Sequence, residues 1–233
     1  MLKTKQKHFK INKTVTVIIR THNSERFVRK AIESVLNQDI SPRQYEILVI
    51  DDGSTDATRR ILKSYGRKIR LIEQKGLGYV RAINYGIINA RCPYVILLDA
   101  DDIFQPSIIL EMSRVFTQEK DLSFVYCDYY ERDTENKKTR IVSLKNIFNS
   151  VAAGIMFKKN VLRAVGMYDE NFVFPEYDLL IKITKKYKGK HIPKPLFTYH
   201  RHESSLTADR QRVRLGRRQL FAKYGNIKGL RDY

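Results

Sequence analysis

The chain has 233 residues, of which 42% are hydrophobic, and 44 Lys and Arg against 25 Asp and Glu give a formal net charge of +19. This length suits one α/β domain with a well-formed core and is short for two domains. No segment approaches the ~18 consecutive apolar residues of a membrane-spanning helix, and the lysine-rich start lacks the apolar core of a signal peptide, so we expect a cytoplasmic protein.

The first hundred residues alternate between strand-like and helical patterns. In chain order the predicted elements are the strand Val15–Arg20, a helix after an N-cap at Ser24, the strand Tyr45–Asp51, a helix capped by Asp56, the strand Ile69–Glu73, the helix Tyr79–Ala90 and the strand Tyr94–Asp99. This alternation predicts a mostly parallel sheet covered by helices. Ligands of such sheets bind outside the carboxyl ends of the strands.

Beyond about residue 105 the pattern is less regular. The predicted elements are a helix over Pro106–Thr117, a hairpin of Phe124–Arg132 with Arg140–Ser143, an apolar segment Ala153–Phe157, a short helix capped by Asn160, a helix over Glu176–Tyr187, a strand Pro195–Thr198 and a basic helix Arg210–Tyr224. We therefore expect one domain over residues 14–208, with a nucleotide-binding half (about 14–105) and an acceptor half (about 106–208). A basic extension (1–13) and a basic helical tail (209–233) would flank it.

Three carboxylates, Asp99, Asp101 and Asp102, follow the apolar strand that ends at residue 99. Carboxylates this close repel one another, and a divalent cation such as Mn²⁺ or Mg²⁺ relieves that repulsion. Alternation lets Asp99 and Asp101 face the same way, so one can bind a ribose hydroxyl while the other holds the cation of a diphosphate. A solvated loop is the alternative interpretation.

A second acidic turn runs from Asp51 to Asp56, where Gly53 permits the bend. Asp51 and Asp52 have no evident role in the turn, so we consider them candidates for hydrogen bonds to a base or ribose. Thr21 and Asn23, after the first strand, serve either a helix cap or a nucleotide.

The segment Gly76-Leu77-Gly78 precedes a helix but lacks the third glycine of a dinucleotide-binding loop and the Gly-Lys-Ser/Thr of a P-loop. Arg81, in the following helix, contacts either phosphate or solvent.

Carboxylates also open the helix near residue 176. Glu176 and Asp178 would be stabilised there by the helix dipole, and either is also suited to act as a general base. A lone histidine is usually structural, but the acidic cluster makes His202 a candidate metal ligand.

Taken together, these segments resemble the inverting glycosyltransferases of family 2, which have the GT-A fold, from Val15 to about Thr207. The matching segments are Val17–Asn23, Asp51–Asp56, Leu98–Asp102, Val165–Phe172 and Pro175–Leu179. The sequence departs from the family at three places. Arg20 and His22 replace its usual proline and tyrosine, Glu176 replaces its base aspartate, and the segment Ala82–Asn84 lacks its arginine.

The resemblance implies transfer of a sugar from a nucleoside diphosphate sugar, which we expect to be a UDP-sugar, to a hydroxyl of a glycan or lipid-linked saccharide with inversion. It implies Glu176 or Asp178 as the base and Asp101, Asp99 and His202 as ligands of Mn²⁺ or Mg²⁺. The implied nucleotide contacts are Thr21, Asn23, Asp51, Asp52, Arg81 and Asp99.

Two other functions compete with this interpretation. Phosphoryl transfer of the haloacid dehalogenase type would use Asp99 as nucleophile, but its motif ordinarily ends the first strand, and here three strands precede it. A catalytically degenerate protein would instead bind nucleic acid or an anionic membrane through its basic termini. Acids at the site mouth would repel a polyanion, so no nucleic acid is expected. The helix Arg210–Tyr224 either contacts an anionic membrane peripherally or packs on the domain.

Overall fold

The computed structural model describes residues 14–151, 153–202 and 209–226. The predicted N-terminal extension and the end of the predicted tail therefore lie outside the described residues. The strands are β1 (Val15–Thr21), β2 (Tyr45–Asp51), β3 (Arg70–Glu73), β4 (Tyr94–Asp99), β5 (Ile103–Phe104), β6 (Phe124–Asp133), β7 (Lys138–Val142), β8 (Ile155–Lys158) and β9 (Gly189–Arg201). The helices are α1 (Val28–Leu36), α2 (Thr58–Ser64), α3 (Tyr79–Asn89), α4 (Ile108–Gln118), α5 (Lys159–Ala164), α6 (Pro175–Thr184) and α7 (Arg210–Tyr224).

These strands form one mixed sheet in the order β3-β2-β1-β4-β8-β6-β9-β5, with β7 paired to β6. The first four are mutually parallel, whereas β8 runs antiparallel to both β4 and β6. An α/β fold with a parallel first half and a mixed second half is thereby confirmed. The carboxyl ends of β1, β2 and β4 lie side by side, as expected for a ligand site.

Strand β9 is far longer than the predicted segment Pro195–Thr198, because it pairs in parallel with β6 from Gly189 to Arg201. Proline cannot donate to a strand ladder, and two prolines, Pro193 and Pro195, hid this strand from sequence analysis. The pairing register shifts near them, between Cys127 and Asp128. The long strand carries the chain from the core to the site.

Strands β1, β2 and β4 are buried on both faces, as their apolar sequences require. One face of β1 presents Val17 and Ile19 to the core cluster that includes α1 and α4. The other presents Ile18 to the cluster that includes α3. Gly86 lets α3 approach closely, since a Cβ there would lie 2.8 Å from the Ile18 side chain.

Three predicted helix caps differ from the structure. Asn160 lies inside α5, because that helix starts at Lys159 after Lys158. Helix α1 starts at Val28 after Phe27, without a side-chain cap, so a cap at Ser24 is wrong. The Ser24 carbonyl instead accepts from the N–H groups of Phe27 and Val28, which forms a separate turn. Asp56 lies two residues before α2, and its carboxylate accepts from the Thr58 N–H at 2.9 Å.

Helix α7 packs against the start of α6. Val213 and Leu220 are buried with Phe174 in a separate apolar cluster, and Gly216 lies against the Phe174 ring, where a Cβ would approach to 2.4 Å. The Gln219 amide accepts from the Val173 N–H at 2.8 Å. In the described parts of the chain, no helix is long and apolar enough to cross a membrane.

Candidate active site

A cavity of about 360 Å³ opens at the carboxyl ends of β1 and β4. Its walls come from the β1–α1 loop, the acidic segment after β4, the first turn of α6, the end of β9, and α7. The predicted site residues that line it are Asn23, Asp99, Asp101, Glu176 and His202. Segments up to about 190 residues apart in the chain therefore converge at the place where parallel sheets bind ligands.

The acidic cluster divides into groups with different roles. All three carboxylates line the cavity, but Asp102 is buried and its carboxylate already accepts from the His200 N–H at 2.9 Å, which fixes β9. Burial and the charge of Asp101 raise the pKa of Asp99 to about 7, although Arg20 opposes the shift. A cation here would relieve the repulsion between these carboxylates.

His202 lies beside the acidic cluster, with Nε2 2.8 Å from an Asp101 carboxylate oxygen and its ring stacked on Phe27 at 5.7 Å. Within the described residues, no group of three side chains is already arranged as a metal site. The donor set nevertheless fits Mn²⁺ or Mg²⁺, since two mutually repelling carboxylates face a cavity beside an imidazole.

Glu176 begins α6 immediately after Pro175, which occupies the first helical position. Its carboxylate lies in the cavity wall, where burial and the nearby charge of Asp99 raise its pKa to about 7, while its own backbone N–H and Arg212 oppose the shift. A carboxylate with a pKa near neutrality is suited to general base catalysis.

Asp178 is completely buried and is not among the residues that line the cavity. It accepts from Lys223 at 2.8 Å and from the Tyr224 hydroxyl at 2.5 Å, and it pairs with Lys182 at 2.8 Å. Burial alone would raise the pKa of Asp178, but these partners hold it below the ordinary value. Asp178 therefore joins α6 to α7, and it does not line the cavity.

Asp51 and Asp52 have local partners, so the expectation that they lack a role in the turn is wrong. Asp51 is buried and accepts from the Ser54 N–H and from Arg59. The Asp52 carboxylate accepts from the N–H groups of Leu77 and Gly78, which holds the loop before α3. Nucleotide contacts for both carboxylates stay predictions.

Arg81 lies outside the cavity, on a shallower groove, and pairs with Glu170 at 2.5 Å. Thr21 is buried and does not line the cavity. Asn23 lies on the cavity wall and also binds the acidic turn, because its side-chain oxygen accepts from the Thr55 N–H at 2.8 Å. The three nucleotide contacts predicted here also stay untested.

Sequence reasoning missed several cavity residues, namely Arg20, Phe27, Tyr79 and Arg212. Phe27 follows a helical apolar pattern that predicts core packing. Arg212 belongs to a basic helix whose packing the sequence leaves open. Only Arg20 carried a signal, because it departs from the pattern of the family that the chain resembles.

The family model described as "Glycosyl transferase family 2" matches residues 16–171. An uncharacterized glycosyltransferase of Rickettsia typhi is 30% identical over 189 residues, 73% of this chain and 58% of that protein. The minor teichoic acid biosynthesis protein GgaA of Bacillus subtilis is 26% identical over 215 residues, 82% of this chain and 48% of GgaA. The chain thus spans about half the length of the curated relatives it matches.

Solved structures share the fold at low sequence identity. TarS 1–349 of S. aureus in complex with UDP-GlcNAc has a TM-score of 0.70 and 17% identity over 89% of this chain and 66% of that one. The mannosyltransferase PcManGT of Pyrobaculum calidifontis, in complex with GDP-Man and Mn²⁺, has a TM-score of 0.73 and 17% identity over 91% of this chain and 64% of that one. The GT-A fold expected from the sequence is confirmed, and the chain belongs to glycosyl transferase family 2.

Proposed function

We propose that this chain transfers a sugar from a nucleoside diphosphate sugar, a UDP-sugar in the first instance, to a hydroxyl of a glycan or lipid-linked saccharide, with inversion at the anomeric carbon. One observation carries the proposal. Glu176, with a pKa raised to about 7, faces the same cavity as Asp99 and Asp101 at the carboxyl ends of the strands. The UDP-GlcNAc complex of TarS supports this donor class.

In the proposed reaction, Glu176 accepts the proton of the acceptor hydroxyl while the hydroxyl oxygen attacks the anomeric carbon. The bond from that carbon to the donor diphosphate breaks with its electron pair, and the nucleoside diphosphate leaves. Asp99 binds the ribose. Asp101, Asp99 and His202 would hold Mn²⁺ or Mg²⁺, which supplies positive charge next to the leaving diphosphate.

The Asp101 carboxylate gives a direct test of this proposal. We expect nucleoside diphosphate release from one class in a panel of UDP-sugars and GDP-sugars with Mn²⁺, and loss of release with chelator. Asp101→Asn should lower the rate on the order of 10²-fold, because charge stabilisation of several kcal/mol is removed.

Asp39→Asn is the matched control, since Asp39 lies on an exposed loop away from the cavity. An unchanged rate for Asp101→Asn, or chelator-insensitive release by the wild-type chain, would contradict the cation-binding role. Failure of the wild-type chain to bind or cleave any donor would contradict the proposed function itself.

A lipid-linked acceptor would place the protein at a membrane, and one surface supports that placement. Helix α7 carries six basic residues and no acidic residue over Arg210–Tyr224. Its outer face presents Leu215 and Phe221, 53% and 64% exposed, beside the exposed Arg214 and Arg218. Exposed apolar side chains among arginines fit an anionic bilayer surface.

We expect the full chain to sediment with phosphatidylglycerol vesicles and not with phosphatidylcholine vesicles. Arg214→Glu with Arg218→Glu should weaken this binding at least about tenfold, since each basic residue near the surface contributes roughly 1 kcal/mol. Arg67→Glu with Lys68→Glu, exposed before β3, makes the same change in net charge and should have a much smaller effect. Equal losses of vesicle binding for both pairs would mean that net charge alone, and not this face of α7, attracts the protein to the vesicles.

A further inference from the structure

Arg20 occupies an unusual position at the carboxyl end of β1. In the parallel sheet its register partners are Ile50 in β2 and Asp99 in β4. Register partners on neighbouring strands project to the same face, so Arg20 and Asp99 lie together on the α3 side of the sheet. Ile18, two residues earlier, is buried on that face. The strand thus carries a guanidinium where its apolar row ends and the cavity begins.

The surroundings of this guanidinium leave a donor unused. The Arg20 guanidinium carbon lies 5.3 Å from the centre of the Tyr79 ring, and both side chains line the cavity. Its Nε is buried and has no hydrogen-bond partner among the described residues. A buried donor without an acceptor costs about 1–3 kcal/mol. A ligand oxygen in the cavity would remove that cost.

The charges in the cavity indicate which kind of ligand oxygen accepts a hydrogen bond from Arg20. A neutral hydroxyl could accept from Nε, but it would leave the positive charge without a new partner. A diphosphate brings negative charge into a cavity that already holds Asp99, Asp101 and Glu176, so it needs cations close by. Guanidinium groups bind phosphate oxygens in bidentate, charge-assisted geometry. Arg81, the other arginine considered for this contact, is paired with Glu170 outside the cavity.

We infer that Arg20 donates hydrogen bonds to a phosphate oxygen of the donor nucleoside diphosphate, which makes it a binding residue in a position where the family usually has proline. The inference rests on the proposed function. The face of the Tyr79 ring makes a cation–π contact with the Arg20 guanidinium and helps to hold it in place. Asp99, the register partner of Arg20 on β4, adds a negative charge that attracts the guanidinium.

The test measures nucleotide binding by calorimetry on the full chain, with chelator present, so that the result does not depend on a metal or on turnover. The probes are UDP, GDP, uridine and guanosine. Arg20→Gln should weaken binding of the preferred diphosphate by about 10- to 100-fold, the worth of a charged hydrogen bond. Binding of the matching nucleoside should change less than about twofold. Arg20→Lys keeps the charge and should lose less than Arg20→Gln.

Arg67→Gln is the matched control, because Arg67 is an exposed arginine that does not line the cavity, and it should leave diphosphate binding unchanged. Thermal melting of each variant checks folding, and if Arg20→Gln does not fold, Arg20→Lys alone decides. Equal losses for nucleoside and diphosphate, or an unchanged diphosphate affinity, would overturn the inference while the proposed function stands. If chelator abolishes binding to the wild-type chain, the same comparison is made with Mn²⁺ present. A wild-type chain that binds neither UDP nor GDP under either condition would overturn both.

Discussion

Glu176→Gln is expected to lower sugar transfer by about 10²–10⁴-fold, the usual contribution of a general base. The amide has nearly the same size as the carboxylate but cannot accept the proton of the acceptor hydroxyl. Because the Glu176 side chain makes no structural ion pair among the described residues, folding should be retained. Initial rates of transfer, together with nucleoside diphosphate binding, measure the two effects separately.

The raised pKa of Glu176 adds a pH dependence to this prediction. Burial and the charge of Asp99 raise the pKa of Glu176, whereas Arg212 favours its ionised form. Burial raises the pKa values of Tyr79 and Tyr168, and the charge of Glu176 adds to both shifts. Since the base must be ionised, the transfer rate of the wild-type chain should rise as pH increases through about 7.

Protein stability should change in the opposite direction. A carboxyl whose pKa is higher in the folded than in the unfolded chain holds its proton more tightly when folded, so the free energy of unfolding falls as pH rises from the ordinary value of 4.5 to about 7. Glu176→Gln should make this decrease smaller in metal-free urea titrations at pH 5 and pH 8, while Asp99 and Asp102, whose pKa values are also raised, contribute the rest. A variant with full transfer activity, or one as pH-sensitive as the wild type, would contradict the assignment.

Asp178→Asn is expected to lower the free energy of unfolding by about 2–4 kcal/mol, because a buried carboxylate bound by Lys182, Lys223 and Tyr224 is neutralised. Both cations, Lys182 and Lys223, are partly exposed, which keeps the loss below that of a fully buried pair. Urea denaturation measures it. Asp121→Asn, in the exposed pair with Lys188, is the control and should cost much less, because solvent screens that pair.

These two variants separate the candidate bases that the sequence left open. If Glu176 is the base, its glutamine variant loses activity and keeps its stability, whereas the asparagine variant at Asp178 loses stability. The temperature at which transfer fails should then fall together with the melting temperature of that variant. Abolished transfer by Asp178→Asn in a chain of unchanged stability would assign the chemistry to Asp178 instead.

The sequence predicts the parallel half of the fold well because its information is local. Apolar strands that end in acids, with helices between them, allow only a few arrangements, so the convergence of Asp99 and Asp101 at one edge of the sheet follows from periodicity and topology. His202 and Glu176 were placed by resemblance to the family, and the structure brings both into the same cavity.

The rest depends on contacts between residues far apart in the chain. The partners of Asp178 lie 45 and 46 residues away on α7, and the partners of Asp52 lie 25 and 26 residues away, before α3. The sequence alone does not distinguish acidic residues with such partners from acidic residues that bind a ligand. The sequence of α7 predicts only a basic tail, because Gly216, which packs against Phe174, adds no apolar side chain to the helical pattern.

The attachment of α7 has a practical consequence for anyone who shortens this protein. The family match ends at residue 171, yet a version cut before Arg210 would lose Lys223 and Tyr224 and would uncover Phe174, two positions from Glu176. The smallest fragment worth expressing therefore extends through Tyr224. An inactive shorter fragment would reflect damage to the wall beside Glu176, and it would say nothing about membrane attachment.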